Sequence, residues 1–386
     1  MPLPYELIYD EILCRLPVKY LLRYRCVSKE WCSIIDSKAF VKKHLKKAIE
    51  CNPDGDGVII TGDGQTGQYY LTNLECLYAD EDVAVTELDD PLKNVLSSAL
   101  FVGAANCLAC FCKNNMKEFI ILNPSTRKYK KVPSMPSEFA WLFEKNEVFP
   151  CGFGYDHVND DYKVVKIVEF IGGGMIFMIY SMKSNCWTWL ENVPSNIRLL
   201  TMTGMFTSGA LNWLAKSLEF NHKFIVGFDL GLEQFMEVPF PIVSGNASVP
   251  SRGTLCFFDH CINSRMNVWM INNYGAENPW YKAFSVERSG VLGSFELIRP
   301  VAFSKSGKDV LLDMDNTKLV WYDPKRNVVK NVVHGIPTRS GLHLYRESLL
   351  ELKTEQVQKP SSEDKKEKKE RKKRDDFLSK GFKLKL

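Results

Sequence analysis

The sequence predicts a multidomain α+β protein: a small all-α module at the N-terminus, an all-β propeller-like domain of about six repeats, and a disordered basic tail. Three observations carry this. Apolar residues recur at helical spacing over residues 1–48. From about Asn52, short β-branched and aromatic runs alternate with Gly, Asn, Asp and Pro. Beyond about Lys353 the chain is charged and of low complexity, with too little apolar surface to bury.

In the first region Leu3 and Leu7 lie one turn apart, as do Ile8, Ile12 and Leu16, so two apolar series form one broad stripe. Pro17 interrupts and restarts the pattern, since proline suits a first helical turn. Leu21, Leu22, Tyr24 and Val27 follow. Ser28 is an N-cap candidate, with Glu30 in the first turn favourable to the helix dipole. Trp31, Ile34 and Ile35 continue the apolar face. Fewer than 50 residues make a poor independent core, so part of this face is expected to meet another surface.

The second region, residues 52–350, repeats one pattern: an apolar run, a polar turn, and an apolar return leg that often closes in Val-Pro or Ile-Pro. The clearest copies turn at Asn123, Ser181, Asp229 and Asp323, with weaker copies at Asn73 and Asn272. Successive spacings of 50, 58, 48, 43 and 51 residues fall at or just above the length of a four-stranded propeller blade. A blade cannot bury both its faces alone, whereas a closed ring can. The run from His343 to Leu350 is the candidate for a last strand that closes the ring. Asn, Asp and Pro at the turns are what tight turns require, so these positions read as structural before they read as binding loops. Gly152-Phe153-Gly154-Tyr155-Asp156 reads as a blade-edge turn, and no Lys-Ser or Lys-Thr follows to make it a phosphate loop.

Composition narrows the function. No apolar run is long enough to span a bilayer, and Met1 to Glu6 lacks the basic and apolar regions of a secretory signal, so a cytoplasmic or nuclear protein is expected. The tail from 353 to 386 holds 13 basic and 7 acidic residues, which leaves 37 and 39 in the body, a net of −2. A nucleic-acid partner is therefore not expected for the folded part. Lys365 to Arg374 reads equally as a nuclear-import signal or as a solvated tail. Deleting residues 360–386 from a fluorescent fusion separates the two, since only the first reading shifts the protein toward cytoplasm. Cys107, Cys110 and Cys112 cluster without a second pair at zinc-finger spacing, and the segment Ala105 to Phe111 reads instead as a buried strand. No His-x-His or Gly-x-Ser-x-Gly pattern occurs, and Glu219 with His222 is an isolated Glu-x-x-His. Neither a catalytic group, a metal nor a cofactor is expected.

The first region closely resembles the plant F-box at Leu3-Pro4, Ile12-Leu13, Arg15-Leu16-Pro17-Val18-Lys19, Leu21-Leu22-Arg23, Cys26-Val27-Ser28-Lys29 and Trp31, with Phe40-Val41 and His44-Leu45 extending the match. The second resembles the plant F-box-associated interaction domain. Asn123-Pro124-Ser125-Thr126-Arg127, Gly152 to Asp156, Asp161-Tyr162-Lys163-Val164-Val165, Gly209-Ala210-Leu211-Asn212-Trp213, Phe228-Asp229, Trp269-Met270, Tyr274-Gly275 and Tyr322-Asp323-Pro324 carry that match. The repeats lack the regular Gly-Gly doublet of kelch blades, and the basic tail has no counterpart. The resemblance implies a substrate receptor of an SCF ubiquitin ligase, docking a Skp-type adaptor and through it a cullin and a RING protein. The β-domain would hold an unidentified protein substrate, with no chemistry of its own. The competing class is a non-catalytic propeller scaffold outside any ligase. Leu3, Pro4, Ile8, Leu16, Pro17 and Val18, at helix ends and joints, are the candidate adaptor contacts. Trp31 reads more as internal packing. Trp141 and Phe143, in the long segment from Met135 to Pro150, are the candidate substrate anchors, with an unusual blade strand as the plainer alternative.

Overall fold

The computed structural model describes residues 7–352 except 52–56, 63–67, 79–82, 89–91, 115–116, 137–148, 170–174, 191–192, 240–244, 249–254, 261–264, 272–278, 288–289 and 338. Leu3, Pro4, Trp141, Phe143, the turn at Asn272 and the tail lie outside the described residues. Residues Met1–Leu352 form one compact unit.

Helical turns at Leu7–Ile12 and Leu13–Arg15 lead into α1 (Val18–Tyr24), α2 (Lys29–Ile35) and α3 (Lys38–Cys51). Pro17 sits just before α1 rather than inside its first turn. Ser28 is the predicted cap of α2: its Oγ accepts the Trp31 N–H at 3.1 Å, with Glu30 in the first turn. Ser37 Oγ does the same for Phe40 at 3.2 Å. The helices converge on Leu13, Val18, Leu21, Ile34, Ile35 and Phe40, joined by Leu349 from the far end of the chain. Trp31 is half-buried against this core, edge-on to Tyr24 with ring centroids 5.7 Å apart, which is the internal packing the sequence favoured.

The β region forms six blades among the described residues. Blade 1 contributes β1 (Gly57–Gly62), β2 (Tyr69–Asn73) and β3 (Thr86–Glu87), with α4 (Leu74–Tyr78) between the last two. After α5 (Leu92–Leu96), blade 2 is β4 (Leu100–Ala105), β5 (Leu108–Lys113), β6 (Glu118–Asn123) and β7 (Lys128–Lys131). Blade 3 is β8 (Cys151–Asp156), β9 (Asp161–Glu169), β10 (Met175–Ser181) and β11 (Cys186–Leu190). A short β12 (Ile197–Leu199) precedes β13 (Thr203–Thr207), β14 (Ala210–Ser217), β15 (Lys223–Asp229) and β16 (Gln234–Pro239), which make blade 4. Blade 5 is β17 (Gly245–Ser248), β18 (Cys256–His260), β19 (Arg265–Ile271) and β20 (Trp280–Glu287). Blade 6 is β21 (Ile298–Phe303), β22 (Val310–Met314), β23 (Lys318–Asp323) and β24 (Val328–Val333).

The ring closes because the last strand, β25 (Arg339–Tyr345), pairs antiparallel with β1 and becomes the inner strand of blade 1. The sequence placed this strand at 343–350. It starts four residues earlier, and 346–352 leave the sheet altogether. Every neighbouring pair of blades buries its own apolar cluster. Cys110, Ile121 and Phe153 fill the seam of blades 2 and 3, and Phe177, Trp213 and Phe228 that of blades 3 and 4. Val268, Phe284 and Leu312 fill the seam of blades 5 and 6. Trp321 and Val58 lie in the seam of blades 6 and 1. This is the burial a lone blade cannot achieve.

The turn residues behave as the chemistry of tight turns requires. Asn123 Oδ1 accepts from the Ser125 N–H at 2.9 Å, Asp229 Oδ1 from Gly231 at 2.9 Å, and Asp323 Oδ1 from Lys325 at 3.0 Å. Gly152-Phe153-Gly154-Tyr155-Asp156 is a correction: it is the inner strand β8, not a turn. Its glycines make room for the next blade. A Cβ on Gly154 would come within 2.5 Å of both Leu230 and Phe206. Only Asp156 turns, its Oδ1 accepting the Val158 and Asn159 N–H groups at 2.9 Å.

Candidate functional site

Hairpin order assigns each loop to a face of the ring. The connections between first and second strands, and between third and fourth, fall on one face. The other connections fall on the opposite face. The helical module sits on the first of these. Leu45 of α3 packs on the apolar cluster of blades 2 and 3. Lys42 Nζ lies 2.8 Å from Asp160 Oδ2, in the β8–β9 turn. The segment 346–352 runs between module and ring. The Arg346 N–H donates to Asn106 O at 2.8 Å, and Asn123 Nδ2 donates to Ser348 O at 3.0 Å and Leu350 O at 2.9 Å. Leu349 then enters the helical core, while Leu352 enters the core of blades 2 and 3.

On the helical module, Pro17 is exposed, Leu16 half-buried, and Val18 buried at 1% exposure. Leu3 and Pro4 lie outside the described residues. Ile8 falls on the first helical turn, Leu7–Ile12. Sequence reasoning did not single out Tyr20 or Val27 as surface residues, yet both are exposed, Val27 at 61%. Helical spacing gave the stripe but not which side of it the ring covers. His44, in α3, points its Nε2 at Leu16 O, 2.9 Å away, so the ring carries its proton there and donates. Burial lowers the His44 pKa below the ordinary value, the bond to Leu16 opposing only in part.

The opposite face carries side chains the sequence did not flag. Leu200 and Met202 precede β13, and Leu218 and Phe220 lie in the β14–β15 turn, Phe220 at 70% exposure. Also toward this face, the buried Arg339 places Nη2 2.5 Å from Asp313 Oδ1, while Arg299 Nη2 lies 3.0 Å from Asp313 Oδ2. Trp141 and Phe143, the predicted anchors, lie outside the described residues.

Other polar clusters read as structural. Lys163 places its ammonium 2.9 Å from both Asp156 and Glu233, and donates to Leu230 O at 2.6 Å. Burial opposes that charge, but the hydrogen bonds to Asp156 and Glu233 hold the Lys163 pKa above its ordinary value. The cluster ties blade 3 to the third–fourth turn of blade 4. Cys107 sits in the β4–β5 turn, one residue before the strand expected to contain it, with Sγ 3.3 Å from Tyr162 Oη. Cys110 and Cys112 lie in β5, and burial pushes the Cys110 thiol well up. Among the described residues no group of three or more His, Cys, Asp or Glu is placed to hold a metal, and no helix is long and apolar enough to cross a membrane.

A small helical module fixed to one face of a ring of six blades among the described residues, with exposed apolar side chains on both, defines a two-part chain of helical module and propeller. The sequence matches the F-box domain over residues 3–43 and the F-box associated beta propeller domain over residues 87–346. The chain belongs to the F-box proteins with an F-box associated propeller. It is 31% identical to F-box protein CPR1 of Arabidopsis thaliana, covering 98% of each chain. It is 30% identical to F-box/kelch-repeat protein At3g23880 of the same plant, covering 81% of this chain and 85% of that one. F-box protein At4g22390, also from Arabidopsis thaliana, is 29% identical over 99% of both.

Proposed function

We propose that this protein is the substrate-recognition subunit of an SCF-type cullin-RING ubiquitin ligase. The F-box docks a Skp-type adaptor, which brings the cullin and the RING protein, and the propeller holds a protein target for ubiquitination and degradation. The observation that carries the reading is the pairing of an F-box with a propeller in one chain, the module occupying one face of the ring and leaving the target side to the other. The chain supplies proximity, and a separate conjugating enzyme supplies the chemistry.

The adaptor side is assigned to Leu16 and Pro17, with Leu3, Pro4 and Ile8 preceding them in the sequence. Val18, buried in the module, supports that surface from beneath. Trp141 and Phe143 remain candidate target anchors in the connection between blades 2 and 3. The test is capture of the adaptor by the full chain. Leu16→Ala with Pro17→Ala removes apolar contact from a half-buried and an exposed position, and adaptor co-purification should be lost with the propeller still folded. Undiminished capture by the double variant would refute the assignment. Absence of capture by the wild-type chain would favour a scaffold working outside any ligase.

A further inference from the structure

Blade 4 carries a feature its fold does not require. β12 pairs with β14 so that Arg198 lies directly opposite Lys216, and β14 pairs with β15 so that Lys216 lies directly opposite Lys223. Three cations therefore stand in a row across three strands, on one side of the sheet, spanning about 10 Å at ordinary strand spacing. Like charges directly opposite each other destabilise a sheet. Arg198 and Lys223 are exposed and Lys216 half-buried, and among the described residues none of the three has an ion-pair partner. Of the acids nearby, Glu169 Oε1 accepts from the Leu199 N–H at 3.0 Å, Glu237 lies 4.0 Å from His222, and Glu219 is exposed in the β14–β15 turn; none is ion-paired to the row.

The row is bordered by apolar side chains held in place by backbone bonds. The Leu200 N–H donates to Leu214 O at 2.7 Å, and the Leu218 N–H to Asn196 O at 2.8 Å, so the two segments lie side by side. The turn that presents Phe220 is tied down three times. Ser217 Oγ accepts from Phe220 N at 3.1 Å, Ser217 O from Asn221 N at 3.1 Å, and His222 O from Ser217 N at 2.9 Å. An aromatic side chain presented on a fixed turn costs little to order on binding, which suits an anchor contact. The surface lies on the face opposite the F-box.

We propose that this corner of blade 4 binds the target, and that the segment it takes is an acidic peptide with an apolar anchor. Carboxylates lie along Arg198, Lys216 and Lys223, and the apolar residue packs on Leu200, Leu218 and Phe220. In an extended peptide, acidic residues two apart are about 7 Å from each other, a span that fits within the row. The partner's charge offsets the repulsion that the free blade carries. This rests on the ligase-receptor reading for its biological sense, though not for the binding itself.

The experiment uses the full chain co-expressed with the Skp-type adaptor and a labelled short peptide of alternating Glu and Leu, read by fluorescence anisotropy. Peptides of Lys with Leu, and of Glu with Ser, are the comparisons. The Glu-Leu peptide should bind at least about tenfold tighter than either, and weaken about tenfold between roughly 0.05 and 0.5 M salt. Lys216→Glu is the informative variant. It places an acid between Arg198 and Lys223, so it should raise the melting temperature while weakening the peptide by about tenfold or more, with adaptor capture unchanged. Lys223→Gln, at an exposed position, gives a milder loss in the same direction. Phe220→Ser should also weaken the Glu-Leu peptide. The proposal is overturned if Lys216→Glu and Lys223→Gln leave binding unchanged, or if the Lys-Leu peptide binds as well as Glu-Leu. Adaptor capture is scored separately, so failure of the ligase reading is distinguishable from failure of this one.

Discussion

Leu349→Ala tests whether the F-box is held together by the propeller's own C-terminal extension. Leu349 is buried in the core of the helical module, among Leu13, Val18, Leu21, Ile35 and Phe40, although more than 300 residues separate it from them in sequence. Truncating a buried leucine costs about 2–5 kcal/mol, the transfer free energy plus the cavity left behind. With about 3 kcal/mol as a working value, the equilibrium for local opening of the helices rises roughly 150-fold. The assay is native-state hydrogen exchange followed on peptides from α1, α2 and the first turns of α3, with peptides from β5, β9 and β14 as internal reference. Exchange of the helical amides should accelerate toward that factor while the blades stay protected, and adaptor capture should weaken. If the helices exchange within about threefold of wild type, Leu349 is not part of their stability and the shared core is wrong.

Two further outcomes follow from groups already placed. His44 has its pKa lowered by burial relative to about 6.5 in an unfolded chain, so folding of the helices is favoured above that pH, and stability is lost as pH falls below it. Melting of the full chain at about pH 5.5 against about pH 7.5 should show the loss, and His44→Gln should remove the pH dependence contributed by this site. Lys163→Met leaves the fully buried Asp156 without its cation and should destabilise the ring by about 3 kcal/mol or more in denaturant titration. A change under about 1 kcal/mol would show that the Val158 and Asn159 N–H groups and the Asn159 side-chain amide sustain Asp156 without the cation.

What the sequence made legible were features with a short-range chemical cause. Ser28 capping α2 and the turns at Asn123, Asp229 and Asp323 each need a side-chain acceptor two or three residues from the amide it satisfies, and that spacing is visible in one dimension. The repeat spacing followed, and with it the six blades. Misread features have long-range causes. Gly152 and Gly154 look like turn residues, but β8 needs them because Trp213, Leu211, Phe206 and Leu230 arrive from blade 4. β25 begins with Arg339-Ser340-Gly341, which lacks a strand's apolar texture. It is a strand because Gly57 to Gly62 lies beside it and because Arg339 finds Asp313. The candidate adaptor contacts were legible only in part: the joint after Leu16 singled out both Pro17 and Val18, and only packing separates the buried Val18 from the exposed Pro17. The cation row of blade 4 was invisible because Arg198, Lys216 and Lys223 become neighbours only through strand pairing.

Asn123 ties the segment that runs between the F-box module and the ring to blade 2. Its amide has two separate jobs. Oδ1 closes the β6–β7 turn by accepting from Ser125 N, and Nδ2 donates to the carbonyls of Ser348 and Leu350. Asn123→Asp separates the jobs. The carboxylate still accepts from the turn, but it can no longer donate, and it now faces two carbonyl oxygens. Each unpaired buried carbonyl costs about 1–3 kcal/mol, enough to release residues 348–352 from blade 2 without disturbing the blade itself. On the proposed ligase reading, a propeller held to its F-box through this segment presents its target at one orientation, so only lysines within a narrow arc reach the conjugating enzyme. With the segment loosened, both partners should still bind. In a reconstituted ligase, ubiquitin should then spread over more target lysines and arrive more slowly at the preferred ones, as read by mass spectrometry. Hydrogen exchange at residues 348–352 should rise in parallel. An unchanged lysine pattern together with raised exchange would show that the segment moves but does not set the orientation, and that the contacts of Lys42 and Leu45 with blades 2 and 3 set it instead.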